Sequence, residues 1–245
     1  MANLPKGDKK LLNAWAFYDW ANSVYTLTIA SAVFPIFYEA LFTDKSHYID
    51  VFGMHLKKSA LISFITALAF LVVAFMSPLL SGIADYVGNK KSFMKFFCYL
   101  GALSCMGLYW FDLDSIYSGL LFYFLGLLGY WGSLVFYNSY LPDIAFTEQQ
   151  DAISAKGYSL GYIGSVILLI INLAMIMKPK LFGITGTDGE AAMKAMRYSF
   201  VMVGVWWILF SQYTYYFLPK GNKKAGEAIN KDIIFTGFKE LKKVW

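Results

Sequence analysis

Six long runs free of charged residues dominate the chain: Trp20 to Tyr38, Leu61 to Leu80, Phe96 to Phe111, Ser115 to Pro142, Gly157 to Met177 and Tyr198 to Pro219. Most match the ~20 residues a helix needs to cross ~30 Å of hydrocarbon. A bilayer core offers the backbone no hydrogen-bond partner, so each run is expected to close its own bonds as a helix. A membrane barrel would need alternating segments of about ten residues, which these continuous blocks do not provide. The third run reaches spanning length only if extended back to Ser92, which takes in Lys95, a side chain that snorkels to the headgroups. The expected fold class is an all-α membrane protein, a six-transmembrane-helix bundle with spans near 16–40, 59–81, 92–111, 115–141, 157–177 and 198–218. Residues 1–15 form an amino-terminal segment and 220–245 a basic linker.

Composition agrees, with 58% hydrophobic and only 15% charged residues, where a soluble domain carries about 25% charged. The net charge of +5 lies in short clusters between apolar blocks, which argues against nucleic acid as a partner. One set of loops holds Lys6, Lys9, Lys10, Lys90, Lys91, Lys95, Lys156 and the seven lysines of the tail. The other holds half as many positive residues: Lys45, Lys57, Lys58, Lys178, Lys180, Lys194 and Arg197. Cytoplasmic loops carry the excess, so both termini are expected in the cytoplasm, with a bacterial inner membrane as the expected location. The stretch MKPKLFGITGTDGEAAMKAMR runs against this pattern, with four positive charges on the opposite side. The polar opening MANLPKGDKK gives no sign of a cleavable leader.

Between the second and third spans lies SGIADYVGNKKSFMKFF, residues 81–97, read as a tight cytoplasmic turn joining two helices. Gly82 would let its helix approach a neighbour closely, and Gly88 suits a turn position with positive φ. Asp85 would accept backbone N–H groups at a helix start or pair with a lysine, while Lys90 and Lys91 hold this side in the cytoplasm. An ordinary charged loop obeying the positive-inside rule is the plainer reading. The spacing, however, resembles the conserved loop of the major facilitator superfamily, with lysines in place of the usual arginines. NAWAFYDWANSVYTLTIASAVFPIFY at 13–38, YLPDIA at 140–145 and SAKGYSLGYIGSVILLI at 154–170 narrow the likeness to that superfamily's vacuole-effluxer branch, over nearly all of Asn13 to Pro219.

The resemblance implies the amino-terminal half of the superfamily fold and secondary transport of a small polar solute, with amino acids as the solute class and efflux as the direction in named members. It implies a carboxy-terminal six-helix half as partner, on a longer chain or as a second subunit, because family members have about twelve spans. It also implies that Asp85 belongs to a cytoplasmic gate and Gly82 to its close packing. The alternative is a non-transporting six-helix scaffold, a truncated remnant.

Asp19, Asn22, Ser23 and Thr26 share one face of the first helix, which is expected to look into the bundle or a cavity. Asp19 is open to three roles: favouring the helix start, serving the gate, or binding substrate or a proton. Asn138, Asn172 and Gln212 are further polar residues within spans, either bonding helix to helix or lining a cavity. Gly126, Gly129 and Gly132 in the fourth span, and Gly157, Gly161 and Gly164 in the fifth, form small-residue stripes for close helix contact. Pro35 and Pro78 are expected to bend their spans, and Pro142 to close the fourth helix near Leu141. Thr147 with Glu148 would start a short surface helix. Tyr38, Tyr109, Trp110, Tyr140 and Trp206 fit an interfacial aromatic belt, although one of Trp206 and Trp207 is placed to line the bundle. Cys98 and Cys105 read as packing residues. The lysines of 239–243, around Phe238 and Leu241, fit either an amphipathic helix on lipid or a soluble linker helix. His47 and His55, with Asp44 and Asp50, lie in one solvent loop, where solvation is the simpler reading than a metal site. No phosphate loop, nucleophile elbow or Cys-x-x-Cys is present, so neither an enzyme nor a cofactor is expected.

Overall fold

The computed structural model describes residues 4–42, 48–87 and 89–220. Asp8 starts the first helix: its backbone is extended and its carboxylate accepts the N–H groups of Lys10 and Leu11. Helix α1 (Lys9–Asn22) therefore begins well before residue 16, and Asp19 lies in its last turns instead of at a helix start. A π-helical segment, Tyr25–Val33, follows, then α2 (Phe34–Ala40), so that 9–40 forms one broken rod. Pro35, which has no N–H to give, stands just past the π segment, within the first turn of α2.

The first loop contains the one departure from an all-helical chain among the described residues, an antiparallel hairpin of β1 (Tyr48–Val51) and β2 (Met54–Lys57). Tyr48 pairs with Lys57 and Val51 with Met54. Its turn residues Phe52 and Gly53 both take positive φ, as a tight two-residue hairpin requires. Five helices follow: α3 (Lys58–Val87), α4 (Lys90–Gly107), α5 (Ile116–Ile144), α6 (Thr147–Met177) and α7 (Asp188–Phe217). A 3-10 turn extends α4 over Leu108–Trp110, and another, Pro179–Phe182, follows α6.

Several expected boundaries move. The 81–97 stretch is not a turn as a whole: α3 stays helical to Val87, and Lys90 already opens α4. Gly82 and Asp85 thus occupy the closing turns of α3, while Gly88 and the side chains of 81–87 lie outside the described residues, as do His47, Asp44 and the tail from 221. Helix α5 runs past Pro142 to Ile144, since a proline in the final turn forfeits only one bond. The surface helix expected at Thr147 and the span from 157 are one rod, because 147–156 is rich in good helix formers and holds no breaker. Tyr38 and Tyr140, expected in an aromatic belt, are buried, with hydroxyls bonded to the carbonyls of Lys58 and Pro219.

Among the described residues, four helical rods are long and apolar enough to cross a membrane: 9–40, 58–78, 116–144 and 147–177. The other two are less apolar for visible reasons. Helix α4 carries Lys90, Lys91 and Lys95, and α7 is built from tryptophan, tyrosine and serine with charged residues in its opening turns. Both are packed inside the bundle, α4 between α5 and α7, and α7 between α4 and α1. Rod 9–40 also packs on α6, and α3 leans mainly on α5. Exchanging rod 9–40 with α5, α3 with α6 and α4 with α7 maps this packing scheme onto itself. Because each half has three helices in up-and-down order, the second half runs in the opposite sense to the first, the arrangement of an inverted repeat.

The glycine stripes set two close seams. A Cβ on Gly129 would fall 2.3 Å from the Cα of Gly101, and one on Gly132 would fall 2.5 Å from the ring of Phe97, so α4 and α5 meet backbone to backbone. Gly161 and Gly164 bring α6 against the first rod, where an added Cβ would fall 2.5 Å from the Ser23 Oγ and 3.0 Å from Trp20. Cys98 and Cys105 are buried and unbridged, as packing residues should be. Trp207 is fully buried, whereas Trp206 lies at the bundle edge.

Candidate functional site: a hydroxyl pocket beside a broken helix

The first rod breaks where its polar residues cluster. At Asn22 the α-helical ladder ends and the wider π ladder begins three residues later, a change that leaves carbonyls to be satisfied by other groups. Thr26 Oγ1 donates to the Ser23 carbonyl at 2.8 Å, and the indole N–H of Trp206 on α7 donates to the Trp20 carbonyl at 3.0 Å. The irregular backbone therefore lies against protein on one side and a pocket on the other, which is where membrane proteins tolerate it.

That pocket measures about 290 Å³. Ser23, Thr26 and Ser31 of the first rod, Tyr130 of α5 and Tyr158, Tyr162 and Ser165 of α6 line it, with Leu27 as the apolar member. Seven of its eight lining side chains thus carry a hydroxyl. One turn before Ser23, Asp19 accepts a 2.9 Å hydrogen bond from the Tyr137 hydroxyl, and its Oδ2 fills the space where a Cβ on Gly157 would stand. Trp15 stacks on the Tyr137 ring at 4.3 Å and donates to the Tyr137 carbonyl, which fixes that phenol in place. Tyr158 and Tyr162 are about 70% exposed, so the pocket opens along the outer face of α6. Hydroxyls donate and accept at will, whereas the carboxylate supplies a fixed acceptor; together they suit a small polar or cationic solute.

The structure sorts the residues read from the sequence. Ser23 and Thr26 reach the pocket and Asp19 adjoins it, but Asn22 is fully buried inside the bundle with its Nδ2 unpartnered. Asn138 faces outward, away from the pocket. Gln212 bonds the Tyr99 hydroxyl on α4, the helix-to-helix role. Asn172 is buried with neither amide atom partnered. Lys90 contacts Asp143 at 2.9 Å, and buried Lys91 donates to the Leu218 carbonyl at 2.7 Å, so these lysines grip the closing turns of α5 and α7. His55 pairs with Asp50 at 2.7 Å and stacks on Tyr48 in the hairpin, and the described residues contain no cluster able to hold a metal. The sequence reading missed Tyr137, Tyr130 and the α6 tyrosines. The GYSLGYIG repeat, with tyrosine following two of its stripe glycines, was the available signal.

A helical membrane bundle with an inverted-repeat packing scheme, a discontinuous first rod and a polar pocket beside the break has the make-up of a transport protein. The chain belongs to the "Vacuole effluxer Atg22 like" family, whose model matches residues 7–150 and 145–245. It is 34% identical over 200 residues to YxiO of Bacillus subtilis, described as an uncharacterized MFS-type transporter, covering 81% of this chain and 44% of that one. It is 28% identical over 187 residues to an uncharacterized protein of Aquifex aeolicus, covering 76% and 44%. The autophagy-related protein 22-2 of Neosartorya fischeri is 23% identical over 227 residues, covering 66% and 36%. The chain therefore spans less than half the length of these relatives. It is an integral membrane protein of a transporter family, not an enzyme.

Proposed function

We propose that the chain is the amino-terminal half of a secondary transporter and carries a small polar solute by alternating access, against a carboxy-terminal six-helix half. The observation that carries this reading is the hydroxyl pocket beside the break in the first rod, with Asp19 at its edge. In this reading the second half packs across α3 and α6. These two helices are equivalent in the packing scheme and leave large apolar side chains uncovered, among them Phe64, Leu68, Phe75, Ile163 and Ile170. Packed there, the partner would close the open side of the pocket.

An amino acid is the solute class the family resemblance favours. Its ammonium group matches the Asp19 carboxylate and the tyrosine hydroxyls, which are acceptors a cation can share. The lysine asymmetry of the loops supports cytoplasmic termini, with the motif of Gly82, Asp85, Gly88, Lys90 and Lys91 at a cytoplasmic gate and the bacterial inner membrane as the location. Counterflow of labelled amino acids into vesicles tests the proposal, with this chain alone and together with a carboxy-terminal half. Flux only when both are present is the expected result. No flux in either arrangement, from folded protein, would leave the non-transporting scaffold as the better reading.

A further inference from the structure

The four positive charges of residues 178–197, at the end of α6 and the start of α7, are not equivalent. Arg197 is already engaged: it donates to the Tyr109 carbonyl at 2.6 Å and to Asp112 at 2.9 Å. Lys178, Lys180 and Lys194 are exposed. Lys180 approaches Asp188 only to 3.9 Å, with both side chains more than three-quarters exposed, and Lys194 reaches only the Thr185 carbonyl at 3.4 Å. Such contacts hold a lysine weakly.

Large apolar residues stand beside these lysines. Met177 and Leu181 are 74% and 82% exposed, and Phe182 is nearly half exposed. They stand at the end of α6, a helix long and apolar enough to cross a membrane. The turn therefore sits where that helix leaves hydrocarbon, at headgroup depth. Two grooves flank it. One of about 690 Å³ is walled by Met177 and Leu181 with Lys178 and Lys180 at its rim, and Asp188 is its acidic member. The other, about 600 Å³, combines Lys194 with Tyr109, Tyr198, Met175 and Met202. A cationic rim above a flexible thioether wall has the chemistry of a site for an anionic amphiphile.

We propose that the α6–α7 turn binds an anionic phospholipid of the leaflet farther from the amino terminus, its phosphate held by Lys178 and Lys180 and its acyl chain laid against Met177 and Leu181. The lysines that run against the loop asymmetry then serve the lipid and not the orientation. The occupant is a lipid and not a free anion, because apolar wall and charged rim occur together at the end of a spanning helix.

The test measures lipid binding to the purified chain by native mass spectrometry, with phosphatidylglycerol and phosphatidylcholine of identical acyl chains. Phosphatidylglycerol should bind more tightly. The combined Lys178→Gln, Lys180→Gln variant should lose roughly 25-fold in that affinity, about fivefold per lysine, with phosphatidylcholine binding unchanged. Lys57→Gln, an exposed lysine of the hairpin, should change neither. Lys180→Gln alone, with its fivefold loss, decides the matter if the combined variant does not fold. Equal affinity of wild type and variant for phosphatidylglycerol would overturn the site. No preference between the two lipids would reduce it to apolar contact, and glycerol phosphate binding as tightly as the lipid would show a free-anion site; either result refutes the proposal.

Discussion

Alanine at Gly129 should separate the two best-packed helices of the bundle, and alanine at Gly126, one turn away on the same helix, should not. The added Cβ at 129 would stand 2.3 Å from the backbone N and Cα of Gly101 and 2.7 Å from the Phe97 carbonyl oxygen. Ordinary contact begins near 3.4 Å, so α4 and α5 must part by about 1 Å. No flexible side chain can yield, because every close atom belongs to backbone. The same seam holds Gly132 against the Phe97 ring, and a shift of that size loosens that contact too. Overpacking typically costs ~1–3 kcal/mol, and this case belongs at or above the upper end. At Gly126 the new methyl would meet the Tyr25 ring at 3.5 Å, an ordinary contact. There the gain in helix propensity, ~0.5–1 kcal/mol, should dominate. The two variants should thus differ by about 3 kcal/mol or more, read as midpoints of thermal unfolding in one detergent by loss of the monodisperse peak. Equal midpoints would refute the claim that backbone contact at Gly101 sets the α4–α5 distance.

Other substitutions test the site and the far end of the bundle. Asp19→Asn should lower solute counterflow about tenfold, the worth of one charge-assisted hydrogen bond, while leaving the amount of intact protein in the membrane unchanged; equal losses in both would assign Asp19 to folding. Arg197→Gln should cost about 2 kcal/mol through its bonds to Asp112 and the Tyr109 carbonyl, and a variant with unchanged unfolding temperature would show that this clasp contributes nothing. Glu190 closes a capping box with Thr187, whose backbone and side-chain hydrogen bonds hold its carboxyl below the ordinary 4.5. Because the folded value is depressed, the cap is fully present above pH 4.5 and is lost as pH falls through the folded value; amide exchange at Ala191 should accelerate there, and should not do so in Glu190→Gln.

How much of this was legible depended on whether the signal was local. Uncharged blocks announced the helices, and glycine spacing announced the seams through Gly129 and Gly132 and through Gly161 and Gly164, because composition and period act on one element at a time. Helix ends were read poorly where the deciding bond came from a polar flank: Asp8 capping α1 through two backbone N–H groups, or 147–156 continuing α6 without a breaker. The motif around Asp85 was placed in a turn because glycine and charge usually mark one, yet the backbone keeps α3 helical to Val87. The π segment was hidden because the break before it is completed from far along the chain, by the Trp206 indole on the Trp20 carbonyl. The Asp19–Tyr137 pair joins residues more than a hundred positions apart, and no single-helix pattern predicts it.

The distribution of these bonds bears on how such a half would move. One end of the bundle is braced by Lys91 on the Leu218 carbonyl, Tyr140 on the Pro219 carbonyl and Lys6 on the Pro142 carbonyl. The other is braced by Arg197 on Asp112 and by Lys58 on Glu39. Between them, α4 and α5 touch through backbone, which leaves no slack for sliding. The first rod is the exception: over Tyr25–Val33 its ladder is π-helical, and just before it the Trp20 carbonyl takes an indole N–H from another helix and the Ser23 carbonyl takes the Thr26 hydroxyl. Deformation should therefore concentrate where the hydroxyl pocket lies, while the remaining helices turn as one body. A solute in that pocket would act on the part of the molecule that yields most easily, and rigid neighbours would carry the displacement to both faces of the membrane.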